Sequence, residues 1–271
     1  MIHEKITDIN KYIVVSCAVN KKDFVWWEDY SFYIKRLKAS MDFLVKDFDY
    51  ILFDEEYPEG CPPHEDAPCY FKISSMKNAL EKGYKKIIWL DSAFFFVKYP
   101  QILIDYIDEN EYCFYLDPVL SNGEPHDIKH FTTDYFIERF SLDRNTVDIP
   151  LISSGIHAFD FSSTKVCDFW EEYTKAAEEN DYALLKPSSK NNDENECSTE
   201  SWVKGHRHDQ SLLSFLIYRN GLKTFNPPMI NGVPNMHSPD AIWIQNEKWP
   251  PSKNVFLSLT RQRIFPFTEE Q

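Results

Sequence analysis

Residues 85–96 read KKIIWLDSAFFF, and the run changes character at Asp91. Ile87, Ile88, Trp89 and Leu90 leave no polar face, as expected of a strand covered on both sides in the middle of a parallel sheet. Such a strand, ending in Asp91-Ser92, delivers a carboxylate to its carboxyl end, where open α/β sheets bind their ligands. The bland alternative is an aspartate that caps the turn after the strand.

Working outward, the pattern alternates. Before the run, a proline-rich loop at 57–69 leads into a helix predicted over 70–82 and stopped by Gly83. Earlier still lie a strand at 11–19, a helix over 26–48 with Ile34, Leu37, Met41 and Leu44 at helical spacing, and a strand at 50–53 that ends in acidic residues. After the run come a helix over 100–108, a strand at 111–116, and a strand pair or strand–turn at 151–161. An amphipathic helix over 163–179 carries Val166, Phe169, Trp170 and Tyr173, and a short helix covers 208–218. The polar stretch 186–200 reads as a mobile insertion, and residues from 221 onward as a strand followed by a proline-rich tail. This alternation predicts an α/β fold in one domain over 1–271, a mostly parallel central sheet with helices on both faces. No internal repeat interrupts it.

Composition narrows the partners. The 271 residues carry a formal net charge of −14 and a pI near 5.0. A surface this acidic repels nucleic acid and anionic lipid headgroups. The amino-terminal residues lack the basic and apolar regions of a signal peptide, no apolar run is long enough for a membrane span, and no Asn-x-Ser/Thr acceptor occurs. Six cysteines without a CxxC pair fit a reducing, cytoplasmic location, and Cys17, Cys113 and Cys167 read as buried apolar residues. The loop from Cys61 through His64 to Cys69 fits no common zinc spacing and reads as an acceptor-side loop stiffened by prolines.

The ends of the strands then mark the candidate site: Ser16-Cys17, Asp54-Glu55, Asp91-Ser92, Asp117-Pro118 and Ser153-Ser154-Gly155. A carboxylate at Asp91 suits a divalent cation that bridges two phosphates. Ser153-Ser154-Gly155 offers small residues that a sugar or phosphate can approach closely, or else an ordinary bulge. Asp209 opens a helix, where the dipole favours an anion and fixes the direction of a carboxylate suited to take a proton from a hydroxyl. His237, between prolines in the tail, is a candidate metal ligand or a plain surface histidine.

In this order, Leu90-Asp91-Ser92-Ala93, Ser153-Ser154-Gly155-Ile156 and His208-Asp209-Gln210-Ser211 resemble the core of the GT-A (Rossmann-like) glycosyltransferases, over residues 11–240. The resemblance implies transfer of a hexosyl or pentosyl group from a UDP- or GDP-sugar to a hydroxyl of an oligosaccharide or glycan, with inversion if Asp209 acts as the base. It implies Mn2+ or Mg2+ held by Asp91 and His237, and a donor site drawn from Ser16, Cys17, Asp54, Lys72, Lys77, Asp91, Ser92, Ser153, Ser154 and Gly155. Arg207, His208 and Gln210 fall on the acceptor or phosphate side. Ala93 stands where the family's second aspartate is expected, so the metal has fewer ligands, and Lys72, Lys77 or Arg207 becomes an alternative partner for the leaving diphosphate. Two other classes compete. One is a metal-dependent phosphoester hydrolase using Asp91, Asp117 and the histidines at 206–208. The other is a non-catalytic carbohydrate-binding protein with platforms at Trp26, Trp27, Trp243 and Trp249.

Overall fold

The computed structural model describes residues 1–20, 29–117, 120 and 123–225, together with the backbone of four short strands beyond residue 228. The elements run β1 (Ile2–Lys5), β2 (Tyr12–Ala18), α1 (Tyr30–Leu44), β3 (Asp49–Asp54), α2 (Phe71–Glu81), β4 (Lys86–Leu90) and β5 (Phe94–Phe96). There follow α3 (Gln101–Asn110), β6 (Tyr112–Leu116), α4 (Asp134–Arg139), β7 (Ile152–Asp160), α5 (Thr164–Tyr182) and α6 (Asp209–Arg219). The short strands are β8 (Met229–Ile230), β9 (Val233–Pro234), β10 (Trp243–Gln245) and β11 (Leu257–Leu259), of which β11 pairs with β5 and β10 with β11. His237, Trp26, Trp27, Pro118 and Trp249 lie outside the described residues, as does the side chain of Trp243.

The central sheet has the order β1-β3-β2-β4-β7-β6. β2 pairs in parallel with both β3 and β4, while β1 and β7 run against them and β6 runs against β7. Thus β2, β3, β4 and β6 point one way, as expected of a mostly parallel sheet. The antiparallel β7 between β4 and β6 was not expected, and the segment read as a strand pair or strand–turn is one nine-residue strand. Its direction is illegible in the sequence, because a strand buried on both faces is apolar whichever way it runs.

Alternate residues of the strands feed two cores. Ile13, Val15, Ile51, Ile87 and Trp89 pack under Ile73 and Met76 of α2, Phe169 and Tyr173 of α5, and Leu212 and Leu216 of α6. Val14, Leu52, Ile88 and Leu90 pack on the other face against Ile34, Leu37 and Met41 of α1 and Leu103 and Ile107 of α3. Helices therefore cover both faces. Asp29 caps α1 by accepting from the Phe32 N–H at 3.2 Å, and Thr133 caps α4 through the Phe136 N–H at 3.1 Å.

Cys167 is exposed and Cys197 is buried in its stead, because α5 turns Val166, Phe169 and Trp170 inward and leaves 167 outside. Within the polar stretch 186–200 the Asn192 carboxamide oxygen accepts from the N–H groups of Cys197 and Ser198, and Asp134 ties the stretch to the body by accepting from Ser198 Oγ and the Thr199 N–H. Beyond residue 221, Phe225 makes an isolated parallel bridge to Tyr115. No helix among the described residues is long and apolar enough to cross a membrane.

Candidate functional site

β7 builds the site by running backwards. Its register pairs Leu90 with Ile156, and the Asp91 N–H donates to the Gly155 carbonyl at 2.8 Å. The amino-terminal half of β7, Ser153-Ser154-Gly155, therefore lies beside the carboxyl end of β4. Asp91 is 42% exposed there, and its Oδ1 accepts from the Trp89 indole N–H at 3.0 Å. Gly155 allows this contact: a Cβ on it would stand 2.8 Å from Phe94 Cε2 and 3.2 Å from Asp91 Oδ2.

The centre of the cluster is Lys72, from the first turn of α2. Its buried ammonium donates to the Ser154 carbonyl at 2.8 Å and lies 3.1 Å from Asp209 Oδ2 and 3.3 Å from Asp91 Oδ1. Ser154 Oγ is a further neighbour at 3.2 Å, and the Trp89 ring is 5.7 Å away. The ammonium thus donates to Ser154 and forms ion pairs with both carboxylates, while Asp209 Oδ2 is buried without a hydrogen-bond partner. Burial lowers the proton affinity of Lys72, but Asp209 and Asp91 outweigh it and raise the pKa, so the ammonium stays charged. Burial raises the pKa of Asp209, at 2% exposure, and the negative charge of Asp91 adds to the shift against the opposing pull of Lys72. Gln210 fixes the start of α6 by donating from Nε2 to the Ile152 carbonyl at 2.6 Å.

Lys72, Asp91, Ser154, Gly155 and Asp209 therefore meet in one place, with Ser92 and Ser153 largely buried beside them. The remaining candidates sit elsewhere. Lys77 pairs with Glu178 of α5 and donates to the Tyr70 hydroxyl, away from Asp91. Asp54 is buried and bonded to His3 Nε2 at 3.2 Å. Ser16 is fully buried, and the Cys17 thiol turns to the Glu56 carbonyl. Arg207 lies over the Phe131 ring at 4.5 Å; burial lowers its pKa and the charge of Asp117 opposes that shift. Asp117 also lies 3.2 Å from His126 Nδ1, just past the end of β6. The His208 ring is enclosed by protein and faces the Leu185 carbonyl at 2.9 Å, and His206 faces the Leu184 carbonyl at 3.1 Å. Burial drives the pKa of His208 down to about 2 and that of His206 to about 4, so both are neutral.

The part played by the Trp89 indole was not foreseen. The signal was present, since residues 89 and 91 of a strand share a face.

Among the described residues no group of three or more His, Cys, Asp and Glu side chains forms a metal cage. The donor set still fits a hard cation. Asp91 is half-exposed, and the two carboxylates exceed their one lysine by a charge. Mg2+ commonly takes one or two carboxylates and completes its shell with phosphate oxygens and water.

No family model matches the chain, and no curated protein matches it in sequence. Among solved structures it is similar to mouse xyloside xylosyltransferase 1, with a TM-score of 0.44 and 9% identity over 92% of this chain and 97% of that one. It is likewise similar to the galactosyltransferase LgtC in complex with donor and acceptor sugar analogues, with a TM-score of 0.41 and 10% identity over 92% and 86% of the two chains. A third similar structure is a glycosyltransferase involved in glycosylation of the major capsid of PBCV-1, with a TM-score of 0.36 and 13% identity over 63% and 68%. At these identities and TM-scores the likenesses carry no argument about chemistry, which has to come from the chain's own residues.

Proposed function

We propose that the chain is a glycosyltransferase that moves a sugar from a nucleotide-diphosphate donor, a UDP- or GDP-sugar, to a hydroxyl of a carbohydrate acceptor. The observation that carries the reading is the buried ammonium of Lys72, held between Asp91 and Asp209 at the open end of the sheet. A preorganised cation in a site of low dielectric stabilises negative charge that develops on a leaving diphosphate far better than water does.

In the proposed step the acceptor oxygen bonds to the anomeric carbon as the bond from that carbon to the diphosphate breaks. The electron pair leaves with the diphosphate, and Lys72 faces the growing charge. The hydroxyl proton passes to a carboxylate. Asp209 is the candidate, because burial raises its affinity for a proton. A Mn2+ or Mg2+ ion entering with the donor at Asp91 would neutralise phosphate charge, with His237 as a further ligand. Ser154 Oγ, 3.2 Å from Lys72 Nζ, would lie on the donor side, while Gly155 lets Asp91 and Phe94 close in beside it.

The 2% exposure of Asp209 and its pairing with Lys72 favour a second role, in which the carboxylate orients the donor sugar. A screen of UDP- and GDP-sugars by thermal shift, with and without Mn2+, finds the donor. Asp209→Asn is then expected to cut turnover by about 100-fold or more while the donor still binds. Near-parental turnover in that variant removes Asp209 from the chemistry, and the anomeric configuration of the product separates base from orienting group.

A further inference from the structure

The residue before Asp209 has an unusual backbone conformation. His208 has φ 50° and ψ −119°, a conformation that glycine adopts freely and a residue with a Cβ adopts only under constraint. It occupies the second position of a turn over residues 207–210, closed by the Gln210 N–H donating to the Arg207 carbonyl at 2.9 Å. These angles are those of the first central residue of a type II′ turn, the position that glycine normally fills. The residue that follows the turn's strained centre is Asp209, the first of α6.

The histidine ring supplies the constraint. Its Nδ1 donates to the Leu185 carbonyl at 2.9 Å, which fixes the tautomer with the proton on Nδ1. His206 faces the neighbouring Leu184 carbonyl, and the two rings lie edge to face with centroids 5.3 Å apart. His64, from the proline-rich loop, packs edge-on against His208 at 6.2 Å. The ring is therefore wedged between two segments distant in sequence, 184–185 and the loop of His64, with His206 alongside. A local choice of lowest strain would place glycine here, so the side chain that imposes the strain has a reason to be present.

We propose that His208 is a positioning residue: anchored on the Leu185 carbonyl, it holds the turn that aims the Asp209 carboxylate at Lys72. The proposal rests on the reading of Asp209 as functional for its activity arm, but not for its structural arm. Glycine at 208 removes the strain and the anchor together, alanine removes only the anchor, and asparagine retains an N–H donor near the place of Nδ1 while tolerating positive φ.

The test uses the full chain with His208→Gly, His208→Ala and His208→Asn. The melting temperature is expected to fall in both His208→Gly and His208→Ala, because a buried ring is lost, but less in His208→Gly, which is relieved of the strain. Turnover of His208→Gly is nonetheless expected to drop by about 10- to 100-fold in kcat, with little change in the KM for donor, and to recover in His208→Asn. A residue that merely supports the fold would lower turnover only in step with stability. The 15N resonance of the Lys72 ammonium reports the Lys72–Asp209 pair without any substrate, and it is expected to shift or exchange faster in His208→Gly. If the parent shows no transfer but this resonance shifts, the positioning role stands and the transferase reading falls. An unchanged resonance, or parental turnover in His208→Gly, overturns the positioning role. Should His208→Ala fail to fold, the glycine and asparagine variants carry the comparison.

Discussion

At the scale of single residues, the candidate site depends on close approach. Asp91 follows the end of β4 and lies beside Gly155 of the antiparallel β7, and Phe94 closes over the glycine. Gly155→Ala puts a methyl group within 2.8 Å of the Phe94 ring and near Asp91 Oδ2, so the ring must move or the strand must part. Overpacking of this kind costs about 1–3 kcal/mol, and denaturant unfolding should show it. Trimming the opposing ring with Phe94→Leu should recover part of that loss in the double variant, as expected of residues in contact. Additive losses in the two variants would mean that the glycine serves some other purpose.

Elements decide which of the candidate residues meet. Lys72 and Lys77 stand five positions apart on α2, which turns them well away from each other around the helix axis. Only Lys72 reaches Asp91, whereas Lys77 turns to α5. The strand end at Asp91, the small residues at 153–155 and the carboxylate opening α6 were legible, because burial pattern and residue size report them directly. The antiparallel course of β7 was not, nor was the conformation of His208, because neither leaves a mark on the period of apolar residues. The short β1 also escaped, since its Ile2-His3-Glu4-Lys5 is only partly covered.

The connection from β1 into β2 is pinned by Asp49 at the start of β3. Its carboxylate accepts from the Thr7 and Asp8 N–H groups at 2.7 and 3.0 Å, from the Thr7 hydroxyl at 2.7 Å, and from the Tyr84 hydroxyl at 2.6 Å. Burial pushes its pKa up, but the bonds from Tyr84, Asp8 and Thr7 outweigh it and leave the pKa lowered. A carboxyl whose folded pKa lies below its unfolded one stabilises the fold above the unfolded pKa and loses that contribution as pH falls through the folded value. Asp49→Asn should therefore cost about 1–3 kcal/mol at neutral pH and flatten the acid limb of the stability profile. An unchanged acid limb would show that another carboxyl sets it.

For the whole molecule the problem is charge. The proposed function asks a chain of net charge −14 to admit a donor that carries two phosphates. The fold answers locally. Parallel strands β2 and β4 end at one edge, β7 returns beside them, and α2 and α6 converge there with a lysine and a carboxylate. The ammonium cannot be lost cheaply, because two carboxylates, one of them buried, remain without it. Electrostatic attraction of the donor should also weaken with added salt less than that of a surface patch would, since the pair is shielded from ions.

Calorimetric titration of UDP and GDP into the parent and into Lys72→Met, with Lys72→Arg as a second variant if the first does not fold, tests the central claim most directly. The account predicts that the parent binds one of these diphosphates and that loss of the ammonium weakens binding by about 100-fold, equivalent to about 2.7 kcal/mol. Equal affinity in a folded Lys72→Met variant, or no diphosphate binding by the parent with or without Mn2+, would contradict it.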